Sequence, residues 1–136
     1  MESTQDYQDQ LLKFRYIKEQ RDMLQGQLEI INASLGNLLS SKRTVENIKE
    51  GVKEDDEILI PIGGLVNIKA RIKAPEKILL AITQDVIVEK DLDGTIEFLD
   101  KLIEQHNNQI QFLRTQLQNI DVNLQEISQQ IQSTYT

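Results

Sequence analysis

The sequence of 136 residues lacks cysteine and tryptophan and holds one histidine, His106. Without cysteine the chain has no disulfides, thiolate nucleophiles or cysteine-based zinc sites, and one histidine excludes any site that needs two imidazoles. Basic residues are also scarce, since 15 Lys and Arg stand against 22 Asp and Glu, for a net charge of −7. Nucleic acid and anionic membranes both reward clustered Lys and Arg. We therefore expect neither as a partner.

Aromatic residues and long apolar runs are also rare. Aromatics make up 4% of the sequence, too few to anchor an ordinary compact core. No segment approaches the ~18 consecutive apolar residues of a membrane span. The polar, acidic start MESTQDYQDQ lacks the features of a secretory signal. We therefore expect a cytoplasmic protein.

Apolar residues instead recur at alternating steps of three and four in both halves of the chain. This spacing is that of the a and d positions, or seam, of a coiled coil. The N-terminal seam comprises Tyr7, Gln10, Phe14, Ile17, Arg21, Leu24, Leu28, Ile31, Leu35, Leu38, Lys42 and Val45. The C-terminal seam comprises Leu92, Ile96, Leu99, Ile103, His106, Ile110, Leu113, Leu117, Ile120, Leu124, Ile127, Ile131 and Thr134. Asp91 precedes the second seam and is a candidate N-cap.

Between the two seams the period changes from 3.5 to 2, which indicates two β-hairpins. Gly63-Gly64 marks the first turn, and Thr83-Gln84-Asp85 marks the second. Two isolated hairpins are marginal in water, and their open edges invite pairing with other chains. We therefore predict that this segment mediates oligomerisation. The candidate residues are Ile58, Ile60, Ile62, Val66, Ile68, Ile72, Ile78, Leu80, Ile82, Val86 and Val88.

The predicted fold class is α+β: a long antiparallel helical coiled-coil hairpin with two central β-hairpins that join an intersubunit β-barrel. The chain is interpreted as one domain, 1–136. It consists of an N-terminal coiled-coil helix (1–50), the hairpins (51–90) and a C-terminal coiled-coil helix (91–136). Arms of similar length favour zipping within one chain, and a parallel dimer of each arm with its copy is the alternative.

The order of elements and two stretches of sequence resemble the α-class subunit of prefoldin, of the archaeal type. These stretches are ILIPIGG in the first hairpin and VIVEKDLDGTIEFLDK where the second helix begins. The resemblance implies a heterohexamer with prefoldin β subunits, two α and four β, built on a double β-barrel with six coiled coils. It also implies a molecular chaperone without ATPase activity, which captures unfolded polypeptides at the coiled-coil tips and delivers them to a group II chaperonin.

Apolar residues outside the seam are candidates for that contact. Leu12, Tyr16, Met23 and Ile30 lie roughly opposite the buried stripe, and a flexible thioether adapts to varied partners. The two ends of the coil add further residues, because terminal turns fray. The full client-binding set is Tyr7, Leu11, Leu12, Phe14, Tyr16, Met23, Ile127, Ile131 and Tyr135. The competing interpretations are scattered surface residues, packing against a neighbouring helix, and ordinary seam packing.

The remaining polar features indicate no chemistry. Arg21, Lys42 and His106 interrupt the seams and are expected to set register. Gly63-Gly64 lacks the following Lys-Ser/Thr of a phosphate loop. We therefore expect no catalytic residues, no metal and no cofactor, and the protein is not predicted to be an enzyme. The alternative function is that of a structural coiled-coil adaptor or scaffold subunit without client binding.

Overall fold

The computed structural model describes the backbone of residues 2–135 and the side chains of residues 4–134. Helix α1 spans Glu2–Gly51 and helix α2 spans Leu92–Tyr135. Between them lie four strands: β1 (Glu57–Gly63), β2 (Val66–Arg71), β3 (Lys77–Ala81) and β4 (Ile87–Asp91). The predicted order of two helices around two hairpins is confirmed, and both helices extend slightly beyond the heptad patterns.

Burial follows the seams. Every predicted seam position of α1 is buried or half-buried, and the same holds for α2 except at its last position, Thr134. The chain forms two compact units, and both helices contribute to each. The first unit holds the described residues up to Leu35 and from Gln105 onward, and the second holds 36–104. That the whole chain acts as one domain remains a prediction.

The core of the first unit is a cluster of aliphatic seam residues from both helices. Leu28 of α1 and Ile110, Leu113 and Leu117 of α2 are buried together, with Leu24, Ile31 and Leu35 packed against them. Polar contacts show that the helices are antiparallel here. Arg21 contacts Asp121, and Ser34, further along α1, contacts His106, further back along α2.

The second unit repeats this arrangement. Val45 and Leu99 are buried in the seam. Lys42 contacts Asp100 and Lys49 contacts Asp93, so the helices are again antiparallel. The start of α2 is capped as predicted: the Gly94 backbone N–H donates to Asp91 Oδ1 at 2.6 Å, and Thr95 Oγ1 donates to the Asp91 carbonyl at 2.8 Å. Because Asp91 also ends β4, one residue joins the second hairpin to the helix.

The first hairpin pairs β1 with β2, with Ile58 opposite Ala70 and Ile60 opposite Ile68. The strand bulges between Pro61 and Gly63, so Ile62 has no cross-strand partner in this register. Gly63 and Gly64 have φ values of 148° and 46°. Such positive φ is strained for residues with a Cβ atom, which explains the glycine pair at this turn.

The second hairpin pairs β3 with β4, with Leu80 opposite Val88. It is shorter than predicted, because Ile82 and Val86 lie in the turn rather than in the strands. Thr83 Oγ1 accepts hydrogen bonds from the backbone N–H groups of Asp85 and Val86, at 3.3 and 3.1 Å. This side-chain-to-backbone bonding competes with the strand ladder and closes the turn early.

Candidate functional site

The predicted off-seam residues of α1 are exposed. Leu12, Tyr16, Met23 and Ile30 each keep more than 60% of their surface accessible. In heptad terms Tyr16, Met23 and Ile30 occupy successive c positions and Leu12 an f position, because Phe14, Arg21 and Leu28 are a residues. The spacing of seven residues keeps the c residues on one side of the helix. This exposed apolar row therefore lies outside the core, and it is a candidate contact surface.

Helix α2 carries exposed apolar residues that the sequence-based interpretation missed. Phe112 is 61% exposed and Val122 is 52% exposed. Phe112 directly precedes the buried seam residue Leu113, and the residues seven positions away, Gln105 and Asn119, are polar, so no apolar repeat marks it in sequence. The heptad register could have separated them, since Phe112 is a c residue and Leu113 a d residue.

Residues predicted at the tip of the coil differ in accessibility. Tyr7, Leu11, Phe14 and Ile131 are half-buried, whereas Ile127 is only 3% exposed. Tyr135 has its side chain outside the described residues. Ile127 is therefore a packed seam residue, and a ligand can reach it only after the end of the coil opens.

One seam layer near this end is imperfect. Gln10 occupies a d position, and its buried Oε1 has no hydrogen-bond partner among the described residues. The side chain also borders an open, polar groove of about 460 Å³, lined by Gln10, Glu126, Gln129, Gln130, Ser133 and Thr134. A buried acceptor without a donor destabilises the structure that contains it, so this layer holds the helices together less firmly than the aliphatic layers do.

The hairpins form a second apolar surface. Ile58, Ile60, Ile68 and Ala70 lie on one face of the first hairpin as two cross-strand pairs, and Ile60, Ile68 and the flanking Val66 and Ile62 are exposed. In the second hairpin Ile78, Leu80 and Val88 are half-buried, while Leu79 and Ile87 on the opposite face are exposed. Ile72 is half-buried, and Ile82 and Val86 are exposed.

Each described hairpin is a separate sheet of two strands. Every strand in it therefore has one edge without a ladder partner among the described residues. The combination of open edges and exposed isoleucine, leucine and valine is a surface that other strands can cover.

Three polar residues of the seams, Arg21, Lys42 and His106, contact the other helix. Arg21 Nε donates to Asp121 Oδ1 at 2.6 Å, Lys42 Nζ lies 2.7 Å from Asp100 Oδ1, and His106 Nε2 lies 3.0 Å from Ser34 Oγ. The hydrogen bond to Asp100 raises the pKa of Lys42 above its ordinary value. The hydrogen bond to Asp93 likewise raises the pKa of Lys49. These pairs fit the predicted role in register.

The described part of the chain provides neither a metal site nor a membrane span. No group of three or more His, Asp or Glu side chains is placed to hold a metal ion. Neither helix has a stretch long and apolar enough to cross a membrane.

In each unit the two long helices pack antiparallel as a coiled coil, and two exposed apolar hairpins lie between them in the sequence. This combination defines the subunit of a coiled-coil assembly. The sequence pattern of the family described as prefoldin subunit matches residues 17–136. The chain belongs to the prefoldin subunit family, and this membership gives it a chaperone-type role.

Relatives of known name support this family membership. The chain is similar to the prefoldin subunit alpha of Methanococcus maripaludis strain S2, with 36% identity over 113 residues that cover 78% of this chain and 76% of the relative. It is also similar to prefoldin subunit alpha 1 of Methanocaldococcus jannaschii, with 33% identity over 100 residues that cover 74% of this chain and 67% of the relative.

The fold has a solved counterpart. A chain in the cryo-EM structure of filamentous PFD from Methanocaldococcus jannaschii matches with a TM-score of 0.72 and 15% identity, covering 84% of this chain and 93% of that one. At this identity the match establishes the fold. The predicted α+β fold of two long helices with two central β-hairpins and the resemblance to the prefoldin α class are thus confirmed.

Proposed function

We propose that this chain is a subunit of an ATP-independent chaperone of the cytoplasm, which captures unfolded polypeptides on its coiled coil and delivers them to a group II chaperonin. One observation carries the proposal: apolar side chains of both helices in the first unit, Tyr16, Met23, Ile30 and Phe112 among them, are exposed outside the seam. When apolar side chains of a client cover this surface, each Å² of apolar area buried contributes about 25 cal/mol to the free energy of binding.

We further propose that the hairpins assemble the chain with prefoldin β subunits, as two α and four β subunits around a shared β-barrel. The open edges and exposed apolar faces of β1–β4 support this, because two-stranded sheets gain little stability alone. Assembly would place several coiled coils on one particle. Weak contacts made by each coil then add up by avidity.

The alternative is a structural adaptor that uses the hairpins to join subunits and the helices as spacers. A spacer has no use for exposed tyrosine, methionine and phenylalanine, and polar residues would serve it better. The residues of the first unit therefore favour client capture.

The test is light scattering from a chemically unfolded enzyme diluted with and without the chain assembled with its β subunits. The assembled protein is expected to suppress aggregation at near-equimolar ratio without ATP. Adding a group II chaperonin and ATP should then recover enzyme activity. Unchanged scattering would favour the adaptor, and suppression without chaperonin-dependent recovery would contradict delivery.

A truncation locates the capture surface. Removing about ten residues from each end deletes Tyr7, Ile127 and Ile131 but leaves Tyr16, Met23 and Phe112 in place. If the tips dominate capture, the truncated assembly loses protection while native mass spectrometry still reports the full complex. Retained protection would contradict a dominant role for the tips and assign capture to the remaining exposed residues.

A further inference from the structure

The coiled coil of the first unit has two different sides. In an antiparallel pair the g positions of the two helices lie beside each other, and so do the e positions. The contacts agree: Ser34, a g residue, bonds to His106 at 3.0 Å on one side. On the other side Arg21 bonds to Asp121, an e residue, at 2.6 Å. We call the first side the g–c face: the c and g positions of residues 16–34 on α1 and of residues 109–123 on α2.

Between these bounds the g–c face carries no charged residue, although 27% of the chain is charged. It ends at Lys13, the next g position of α1, and at Glu126, the next c position of α2. The b and e positions of the same two stretches form the opposite side. That side holds the charged residues Lys18, Asp22, Glu29, Arg114 and Asp121 beside the amides Gln25, Asn32, Gln111 and Gln118. Charged side chains solvate an exposed helix surface at little cost, so their exclusion from one side alone marks that side for contact.

Two kinds of side chain make up the g–c face. Its apolar members, exposed at c positions, are Tyr16, Met23, Ile30 and Phe112. Its polar members are almost all amides, Gln20, Gln27, Gln109, Gln116, Asn119 and Asn123, with Ser34. Gln27, Gln109, Asn119 and Asn123 are exposed, and Gln20, Gln116 and Ser34 are half-buried.

This composition matches the chemistry of an extended polypeptide. Each amide side chain offers both a donor and an acceptor, which is what an unfolded backbone needs once water is displaced. The apolar residues give cover to client side chains, and Met23 adapts its shape to them. Because no charge is present, the face does not select clients by their charge.

We propose that the g–c face is a binding site for extended segments of unfolded polypeptide, held by backbone hydrogen bonds to amide side chains and by apolar contacts. The inference rests on the proposed function and assigns capture to one side of the coil rather than to its tip. Because the face itself holds no charge, its binding should depend only weakly on ionic strength.

A matched pair of variants tests the face. Gln109→Glu/Gln116→Glu places two charges on the g–c face, whereas Gln111→Glu/Gln118→Glu places two at exposed b positions on the opposite side. Both variants replace two glutamines with glutamates, so they have the same net charge, and the helix propensities of the two residue types are similar. The probe is a fluorescently labelled, reduced and carboxymethylated protein, which stays unfolded, titrated against the assembled complex.

The g–c variant is expected to bind the probe at least fivefold more weakly, and the control variant within twofold of the parent. Binding of the parent should change less than twofold between 50 and 500 mM salt. Equal affinity of both variants, or equal loss in both, would overturn the assignment while leaving the proposed function intact. Loss of the intact complex in the g–c variant alone, seen by native mass spectrometry, would reassign the face to a neighbouring subunit. A parent that fails to bind the probe would overturn the proposed function itself.

Discussion

Lys42 of α1 and Asp100 of α2 form an ion pair across the coiled coil of the second unit, with Lys42 Nζ 2.7 Å from Asp100 Oδ1. Lysine here occupies an a position, where its aliphatic stem lies along the seam while the ammonium reaches the edge. Seven residues further along α1, Lys49 Nζ pairs with Asp93 Oδ1 at 2.6 Å. Two successive heptads of α1 thus place the same kind of ion pair across the coil.

These pairs predict a loss of stability at alkaline pH. The pKa values of Lys42 and Lys49 are raised in the folded chain. The largest cause is the hydrogen bond to Asp100 for Lys42 and to Asp93 for Lys49. A raised lysine pKa contributes stability that is fully present below the ordinary value and is lost as pH rises through the folded value. We expect the thermal midpoint followed by circular dichroism to fall above the usual pKa of lysine. In Lys42→Met/Lys49→Met the fall should be smaller, and an identical fall would contradict this origin.

The cap of α2 predicts a non-additive pair of substitutions. Asp91→Ala removes the acceptor for the Gly94 N–H and should cost about 1 kcal/mol in urea unfolding. Gly94→Ala would place a Cβ atom 2.6 Å from Asp91 Oδ1, so the cap must shift. Gly94→Ala should therefore not raise the free energy of unfolding by the ~1 kcal/mol that replacing glycine with alanine usually gives in a helix.

In the Asp91→Ala background the crowding is gone, and Gly94→Ala should then stabilise the helix. An equal effect of Gly94→Ala in both backgrounds would show that the carboxylate does not hold this position.

Two neighbours on α2 should separate stability from client binding. Leu113 is 4% exposed and Phe112 is 61% exposed. Leu113→Ala should destabilise the chain by about 2–5 kcal/mol through lost packing. Phe112→Gln should change stability by only about 0.5 kcal/mol yet weaken protection of an unfolding enzyme. Urea denaturation and light scattering measure the two effects, and full protection by Phe112→Gln would remove Phe112 from the capture surface.

The first hairpin predicts how assembly responds to charge. Ile60 and Ile68 face each other across the strands, both exposed. Ile68→Lys should prevent assembly with β subunits, because it would bury an ammonium without a partner. Asn67→Lys adds the same charge on the opposite face and should leave assembly intact. Native mass spectrometry distinguishes the two, and the reverse result would mean that the opposite face is the one covered.

The strongest predictions from sequence concerned local patterns. The two seams, the cap at Asp91 and both turns follow from spacing and residue type, and the structure confirms each of them. The end of β3 at Ala81 was missed, because the Thr83 hydroxyl bonds to the backbone and shortens the ladder. Nothing in the apolar run ILLAI indicates that the Thr83 hydroxyl will compete with the strand ladder for backbone N–H groups.

The candidate surfaces were predicted less completely. Tyr16, Met23 and Ile30 stand out because they recur at intervals of seven, although each directly precedes a seam residue. Phe112 was missed, because the residues seven positions away, Gln105 and Asn119, are polar and no repeat marks it. Ile127 was assigned to client contact although it is buried, since a seam residue near a chain end looks the same in sequence whether or not its layer is closed.

The sequence by itself determined where the helices lie, which stripe of each is buried and where the chain turns. These properties depend on residues within a few positions of one another. Only the tertiary structure decided which outer residues of α1 share a side with which outer residues of α2. Given antiparallel helices, which the similar arm lengths predicted, that depends on the register of two distant segments, and no pattern within either segment contains it.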